Sequence, residues 1–265
     1  MHDARQARPA FPVHGPSPGE RDISFPRPKP RWLALSIAYR IMRLARRLFG
    51  DRRVLRAMLN AHWILWRMSF ETTVQYYGDA FPNATFCLTD DLLRTLIPPG
   101  GSVIDIGCGG GRLSQMAAKY AGRVVGIDYD PVNIGVAQAE NTHAHVEFRL
   151  GDVTSVLPGE RFDLAVVVAI LEHIENVDGL LRQIHRVAPR LVVEVPDFDQ
   201  DVFNLVRRDL GCVWYTDADH VREYTRDVLK QHLERNGWTP TRWEFRNGMQ
   251  LAVCESAVAP LTPDA

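Results

Sequence analysis

The sequence predicts an α/β fold: a doubly wound, mostly parallel seven-stranded sheet with a C-terminal antiparallel hairpin and an N-terminal helical extension. Three observations carry this. Between Val103 and Val195 short apolar runs alternate with helical patterns, as parallel strands joined by crossover helices do. The first run turns into its helix through Gly107, Gly109, Gly110 and Gly111, a junction that frees backbone N–H groups for a ligand. The last two runs alternate with period two across Arg246-Asn247-Gly248-Met249, an Asn-Gly hairpin signal.

Length and charge bound the rest. The chain of 265 residues is ordinary globular protein at 46% hydrophobic and 24% charged. Its net charge of −1 hides an asymmetry, because residues 1–70 carry fourteen Lys/Arg against four Asp/Glu. Two parts with different surroundings are expected. Cys87, Cys108, Cys212 and Cys254 form no C-x-x-C pair, which fits a reduced, cytoplasmic setting. No run of eighteen apolar residues exists, and the run 32–39 ends at Arg40 without a cleavage site, so neither a membrane span nor a signal peptide is read.

Taken in order, residues 1–30 hold seven of the seventeen prolines and read as a disordered arm. Residues 31–80 form a basic helical extension. In its first helix, 31–49, Ser36, Arg40, Arg43, Arg46 and Arg47 share one face, opposite Ala34, Ile37, Ala38, Ile41, Leu44, Ala45 and Leu48. Gly50-Asp51 stops it and starts an aromatic-rich helix to residue 77. This basic helix has two readings: an apolar face packed on the following domain or a partner, or an interfacial helix whose arginines meet anionic headgroups. Nucleic acid is not expected, since no RNA- or DNA-binding motif accompanies the arginines.

Residues 81–258 form the main domain, with a tail at 259–265. A helix over 89–97 ends at Pro98-Pro99-Gly100-Gly101. Strands follow at 103–106, 123–127, 145–150, 162–168 and 190–195, with helices at 112–120, 131–140 and 177–187. Pro131 takes the favoured first helical position, behind Asp130 as a cap. Irregular sequence runs to Tyr224, then a helix over 226–236, then strands at 239–245 and 250–255.

Spacing selects the ligand. The dinucleotide pattern G-x-G-x-x-G would need glycine at Arg112 or Ser114; the sequence instead has Asp105-x-Gly107-x-Gly109-x-Gly111. The second strand ends on Asp128, a carboxylate able to accept from two vicinal hydroxyls. The third ends in Gly151-Asp152-Val153, and the fourth leads into Ala169-Ile170-Leu171-Glu172-His173. Acids at three neighbouring strand ends around a glycine turn suit a nucleoside at the carboxyl edge of the sheet.

Over residues 80–256 this pattern resembles the class I S-adenosylmethionine (SAM)-dependent methyltransferases, whose Rossmann-like sheet ends in the same antiparallel hairpin. The resemblance implies SAM as cofactor, with Asp105, Gly107, Cys108, Gly109 and Gly111 around its methionine end. It places Asp128 on the ribose, Tyr129 beside the adenine and Asp152 at the adenine amine, and counts Val153 and Ala169 among the cofactor-binding residues. His220-Val-Arg-Glu-Tyr224-Thr is similar to the family's H-x-R-x-(F/Y)-T stretch. That makes His173 and His220 the candidate proton acceptors, and Glu172, Asp199, Trp214, Tyr215 and Tyr224 the substrate side. Some members hold a divalent metal on Glu-x-x-Glu-His; here the first position is Ala169, so no metal is expected. An Asn/Asp-Pro-Pro-Tyr run is absent, which points away from amide or exocyclic nitrogen. The expectation is methyl transfer to a small-molecule hydroxyl, lipid-like if the basic helix meets a membrane. The alternative is a catalytically silent SAM-binding subunit serving a partner enzyme.

Overall fold

Alternation along each central strand sends its side chains to two different cores, which is how one sheet comes to carry helices on both faces. In the computed structural model, which describes residues 33–78, 86–154 and 159–256, β1 is Ser102–Ile106 and β2 Arg123–Asp128. Ile104, Ile106, Val125 and Ile127 join one cluster and Val103 and Val124 the other. β3 (Val146–Leu150), β4 (Leu164–Val168) and β5 (Arg190–Pro196) complete the parallel part. β6 (Trp238–Arg246) and β7 (Met249–Ser256) are antiparallel, and the order is β3-β2-β1-β4-β5-β7-β6. Asn247 and Gly248 both have positive φ, 49° and 93°, as a two-residue hairpin turn demands.

The helices of the extension are α1 (Leu33–Phe49) and α2 (Asp51–Tyr77). α3 (Asp90–Leu96), α4 (Arg112–Ala118) and α5 (Pro131–Glu140) cover one face of the sheet. α6 (Val177–Val187) and α8 (Arg226–Arg235) cover the other, where Leu181, Ile184, Leu229, Leu233 and Trp238 are fully or almost fully buried. The sequence reading of 196–224 as irregular is corrected. α7 (Val202–Leu210) lies there, capped by Asp201, which accepts from Phe203 N, and closed by Gly211 in the left-handed region. Short 3₁₀ turns at Leu171–His173 and Phe198–Gln200 follow β4 and β5.

By internal contacts the chain forms two units, residues 1–84 with 201–214 and residues 85–200 with 215–265. Within the first, Arg207 of α7 reaches His62 of α2, and Arg56 donates to Gly211 O. The arm 1–30 and the tail 259–265 lie outside the described residues. No helix among the described residues is long and apolar enough to cross a membrane.

Candidate active site

The turn after β1 is tied to the next strand before it reaches any ligand. Gly107 N and Cys108 N both donate to Ile127 O, at 2.8 and 3.0 Å, and Gly109 N donates to Asp128 Oδ2 at 2.8 Å. Each glycine answers a different constraint. A Cβ on Gly107 would stand 2.1 Å from Ile170, and one on Gly111 2.6 Å from the Phe148 ring, whereas one on Gly109 would meet nothing within 4 Å. Gly109 therefore leaves open space beside the backbone, as a site for a closely approaching ligand requires.

That space is a cleft of about 500 Å³, within the range of small-molecule sites. Of the residues predicted to hold the cofactor, Gly107, Gly109, Asp128, Tyr129, Asp152, Val153 and Ala169 line it. Asp105, Cys108 and Gly111 are not among its lining residues. Asp105 is buried behind the turn, where Ser114 Oγ donates to its Oδ2 at 2.6 Å; burial pushes its carboxyl up to about 6 against the pull of Ser114 and Arg112. The Cys108 thiol is raised by burial and by Asp105 and Asp128. Gly111 supplies the left-handed N-cap of α4.

Asp128 is buried and accepts from Gly109 N, from Asp130 N at 2.9 Å and from Asn133 Nδ2 at 3.3 Å. A carboxylate has about four acceptor positions, so one remains, and the long Asn133 contact is the easiest to displace. Ala169, where β4 ends, has φ 54°, an unusual conformation for a residue with a Cβ. Its N–H donates to Glu194 O, which holds the strained turn against β5.

The far end of the cleft is built by the 3₁₀ turn after β4 and the segment 215–224. Val221 N donates to Glu172 O at 2.9 Å, joining the two. His173 lines the cleft, with Nδ1 3.3 Å from Asp219 Oδ2, and Asp219 lines it too. The His173 and His220 rings meet edge to face, centroids 4.8 Å apart. His220 Nδ1 lies 3.0 Å from Thr216 Oγ1 and 3.1 Å from Glu223 Oε1. Burial alone would lower the His220 pKa, but Glu223, Glu172 and Asp217 together raise it. Glu172 is almost fully buried and pushed up to about 7 by burial, and its Oε2 has no hydrogen-bond partner. Ligand-competent atoms of Glu172, His173 and His220 lie within 4.8 Å of one another.

The remaining substrate-side residues are scattered. Asp199 is exposed and accepts from Arg226 N at 2.8 Å, at the start of α8. Trp214 ends the 201–214 segment of the helical unit, and Tyr215 is exposed. Tyr224 as a substrate contact is corrected: it is fully buried in the core and its hydroxyl donates to Leu171 O. Sequence reasoning passed over Asn133, Asp219 and Glu223. For Glu223 a signal was present, the spacing His220-x-x-Glu223; Asn133 gave none, since an asparagine on an exposed helix face is commonplace.

Known proteins bear on this geometry. A relative from Methylobacterium sp. (strain 4-46), a ubiquinone biosynthesis O-methyltransferase, is 42% identical over 86 residues, 31% of this chain and 34% of that protein. One of the same name from Rhodopseudomonas palustris (strain BisB5) is 28% identical over 151 residues, 54% and 60% of the two chains. The chain thus spans between a third and three fifths of these relatives. A SAM-dependent methyltransferase from Aquifex aeolicus superposes with TM-score 0.51 at 17% identity, covering 62% of this chain and 87% of that one; at this identity the likeness shows the fold alone. A methyltransferase-domain family profile matches residues 83–242, which include the glycine turn, every acid-tipped strand and both histidines. Sheet order, cleft and profile agree, and the chain belongs to the methyltransferase-domain family, with the fold of its SAM-dependent members.

Proposed function

We propose that this chain transfers a methyl group from SAM to a hydroxyl oxygen of a small molecule. The observation that carries the reading is a single cleft lined by Gly109 and Asp128 at one end and by His173 and Asp219 at the other. SAM supplies a methyl group already activated by its sulfonium, so the protein's work is to bind, align, exclude water and move one proton. Gly109 allows close approach, Asp128 offers its remaining acceptor position to a ribose hydroxyl, and Tyr129 gives an exposed ring beside it. His173, oriented by Asp219 at Nδ1, takes the acceptor's proton at Nε2. The His220 ring, held by Glu223, packs edge to face against His173 and fixes its position. The names of the relatives support oxygen as the methylated atom.

One observation favours a second reading. Glu172, His173 and His220 converge, and a buried carboxylate oxygen without a partner suits a divalent cation as well as a proton. Three ligands with one open position are the set of a catalytic metal. Held there, the ion would supply Lewis acidity toward the acceptor oxygen.

Labelled-methyl transfer from SAM to a panel of phenols, catechols and lipid hydroxyls tests the proposal. Acid-stable, oxygen-linked product is expected, unaffected by exhaustive chelation if histidine alone carries the proton. Activity that disappears with chelator and returns with one metal would establish the second reading. Tight SAM binding without turnover, alone or beside any partner, would leave the silent subunit standing.

A further inference from the structure

α1 is a seventeen-residue helix, about 25 Å long at 1.5 Å per residue. Among the described residues none of its side chains is buried. Leu33, Ile37, Ile41, Leu44 and Leu48 fall on one side at helical spacing and are between 47% and 74% exposed. Soluble surfaces seldom leave a continuous strip of this kind open unless something is to cover it. Along α1 only Met42 and Ala45 are half-buried, and both lie off the strip on the helical wheel.

What surrounds the strip identifies the occupant. On the helical wheel Arg40 and Arg47 flank the Leu33 edge of the strip, with Arg43 further round and Arg46 opposite the strip. α1 has no acidic residue, and the start of α2 adds Arg52, Arg53 and Arg56 against Asp51 alone. Arg43, Arg46 and Arg47 line one open recess with Asp51, which pairs with Arg46 and leaves the recess with a net positive charge. Long cationic side chains at the edges of an apolar face lie along it and raise their heads to an interface. Guanidinium forks match phosphate oxygens in pairs. A second copy of the chain would oppose its own arginines across such a contact, whereas an anionic lipid surface answers both the leucines and the charge.

We propose that α1, with the first turn of α2, is an interfacial helix that lies on an anionic lipid surface, its leucine and isoleucine strip in the acyl boundary and its arginines on lipid phosphates. No step of methyl transfer is involved, so the proposal stands or falls apart from the catalytic reading.

The test is co-sedimentation of the full chain with vesicles of phosphatidylcholine alone and of phosphatidylcholine with phosphatidylglycerol. Binding to the anionic vesicles only, weakening as salt rises, is the expected result. Arg43→Glu/Arg46→Glu/Arg47→Glu should weaken it at least about a hundredfold, at roughly a factor of five or more per basic residue near the surface. Ile41→Ser/Leu44→Ser should weaken it while leaving the charge intact, and circular dichroism checks that both variants fold. Should the charge variant misfold, the salt dependence of the unaltered protein still decides. Three results would overturn the proposal: no binding to anionic vesicles, equal binding by the charge variant, or a dimer in light scattering that Ile41→Ser/Leu44→Ser converts to monomer.

Discussion

Asp105, Glu172 and Glu194 are carboxyls that the sheet unit buries almost completely, and burial pushes all three upward, to about 6, 7 and 7. Asp105 makes the cleanest test, because its role is to receive Ser114 Oγ behind the glycine turn rather than to face the cleft. Its folded pKa lies above the unfolded value of 3.8, so the fold prefers it protonated. The stability it contributes is complete below about pH 4 and is lost as pH rises through 6. Asp105→Asn keeps an acceptor for Ser114 without the charge. Urea unfolding at pH 4 and pH 7.5 should show the unaltered protein losing on the order of 1–3 kcal/mol more than the variant. An equal loss in both proteins would place the charge elsewhere. His173 belongs to the opposite case, a group whose value lies in what it faces. His173→Gln keeps a polar side chain in the cleft but has no base, so kcat should fall about 10²- to 10⁴-fold with S-adenosylhomocysteine affinity unchanged. A parallel loss of affinity by calorimetry would make it a binding residue instead.

The turn from β1 into α4 shows how one short element divides stability from binding. Gly111 sits at φ 80° against Phe148, so Gly111→Ala strains the backbone and collides with a core ring. It should cost about 1–3 kcal/mol in urea unfolding. Gly109 at φ 52° also strains an alanine but meets no neighbour, so Gly109→Ala should cost only the backbone strain of about 1 kcal/mol, while its new methyl enters the cleft. S-adenosylhomocysteine affinity should fall at least tenfold, and a variant that still binds normally would exclude this stretch from cofactor contact. Which glycine does which was not legible in the run Gly107 to Gly111, because the difference lies in Ile170 and Phe148, residues 37 to 63 positions downstream. Elements with strong periodicity were legible: β1 to β5, α5 and α6 lie within about two residues of where their patterns put them. α7 escaped, although Asp201 and Gly211 bracket it and Val202, Phe203, Leu205, Val206 and Leu210 share one face, because nine residues give the helical period little more than two turns in which to show. The far end of the cleft was legible only in part. His173 and His220 stand 47 residues apart, and the backbone bond from Val221 N to Glu172 O that joins their segments carries no side-chain signature.

At the scale of the whole chain the two contact units differ in how much they bury. The sheet unit has a core on each face, whereas α1 buries no side chain and α2 only Leu59. Local opening follows buried contact density, so the helical unit should open first and independently. The cysteines report on this without any substitution. All four are buried; Cys87, Cys108 and Cys254 lie in the sheet unit and Cys212 in the helical one. Burial raises the Cys87 and Cys254 thiols to about 12, with Glu194 and Glu244 adding to the effect at Cys87. Since the thiolate is the reactive form, a native sheet unit should exclude an alkylating reagent at neutral pH. Pulse alkylation across a urea series, read by mass spectrometry, should therefore label Cys212 at lower denaturant than the other three, which should follow as one group. Labelling of all four in a single transition would mean that the helical unit and the sheet unfold as one body, and the independence argued for α1 and α2 would be lost.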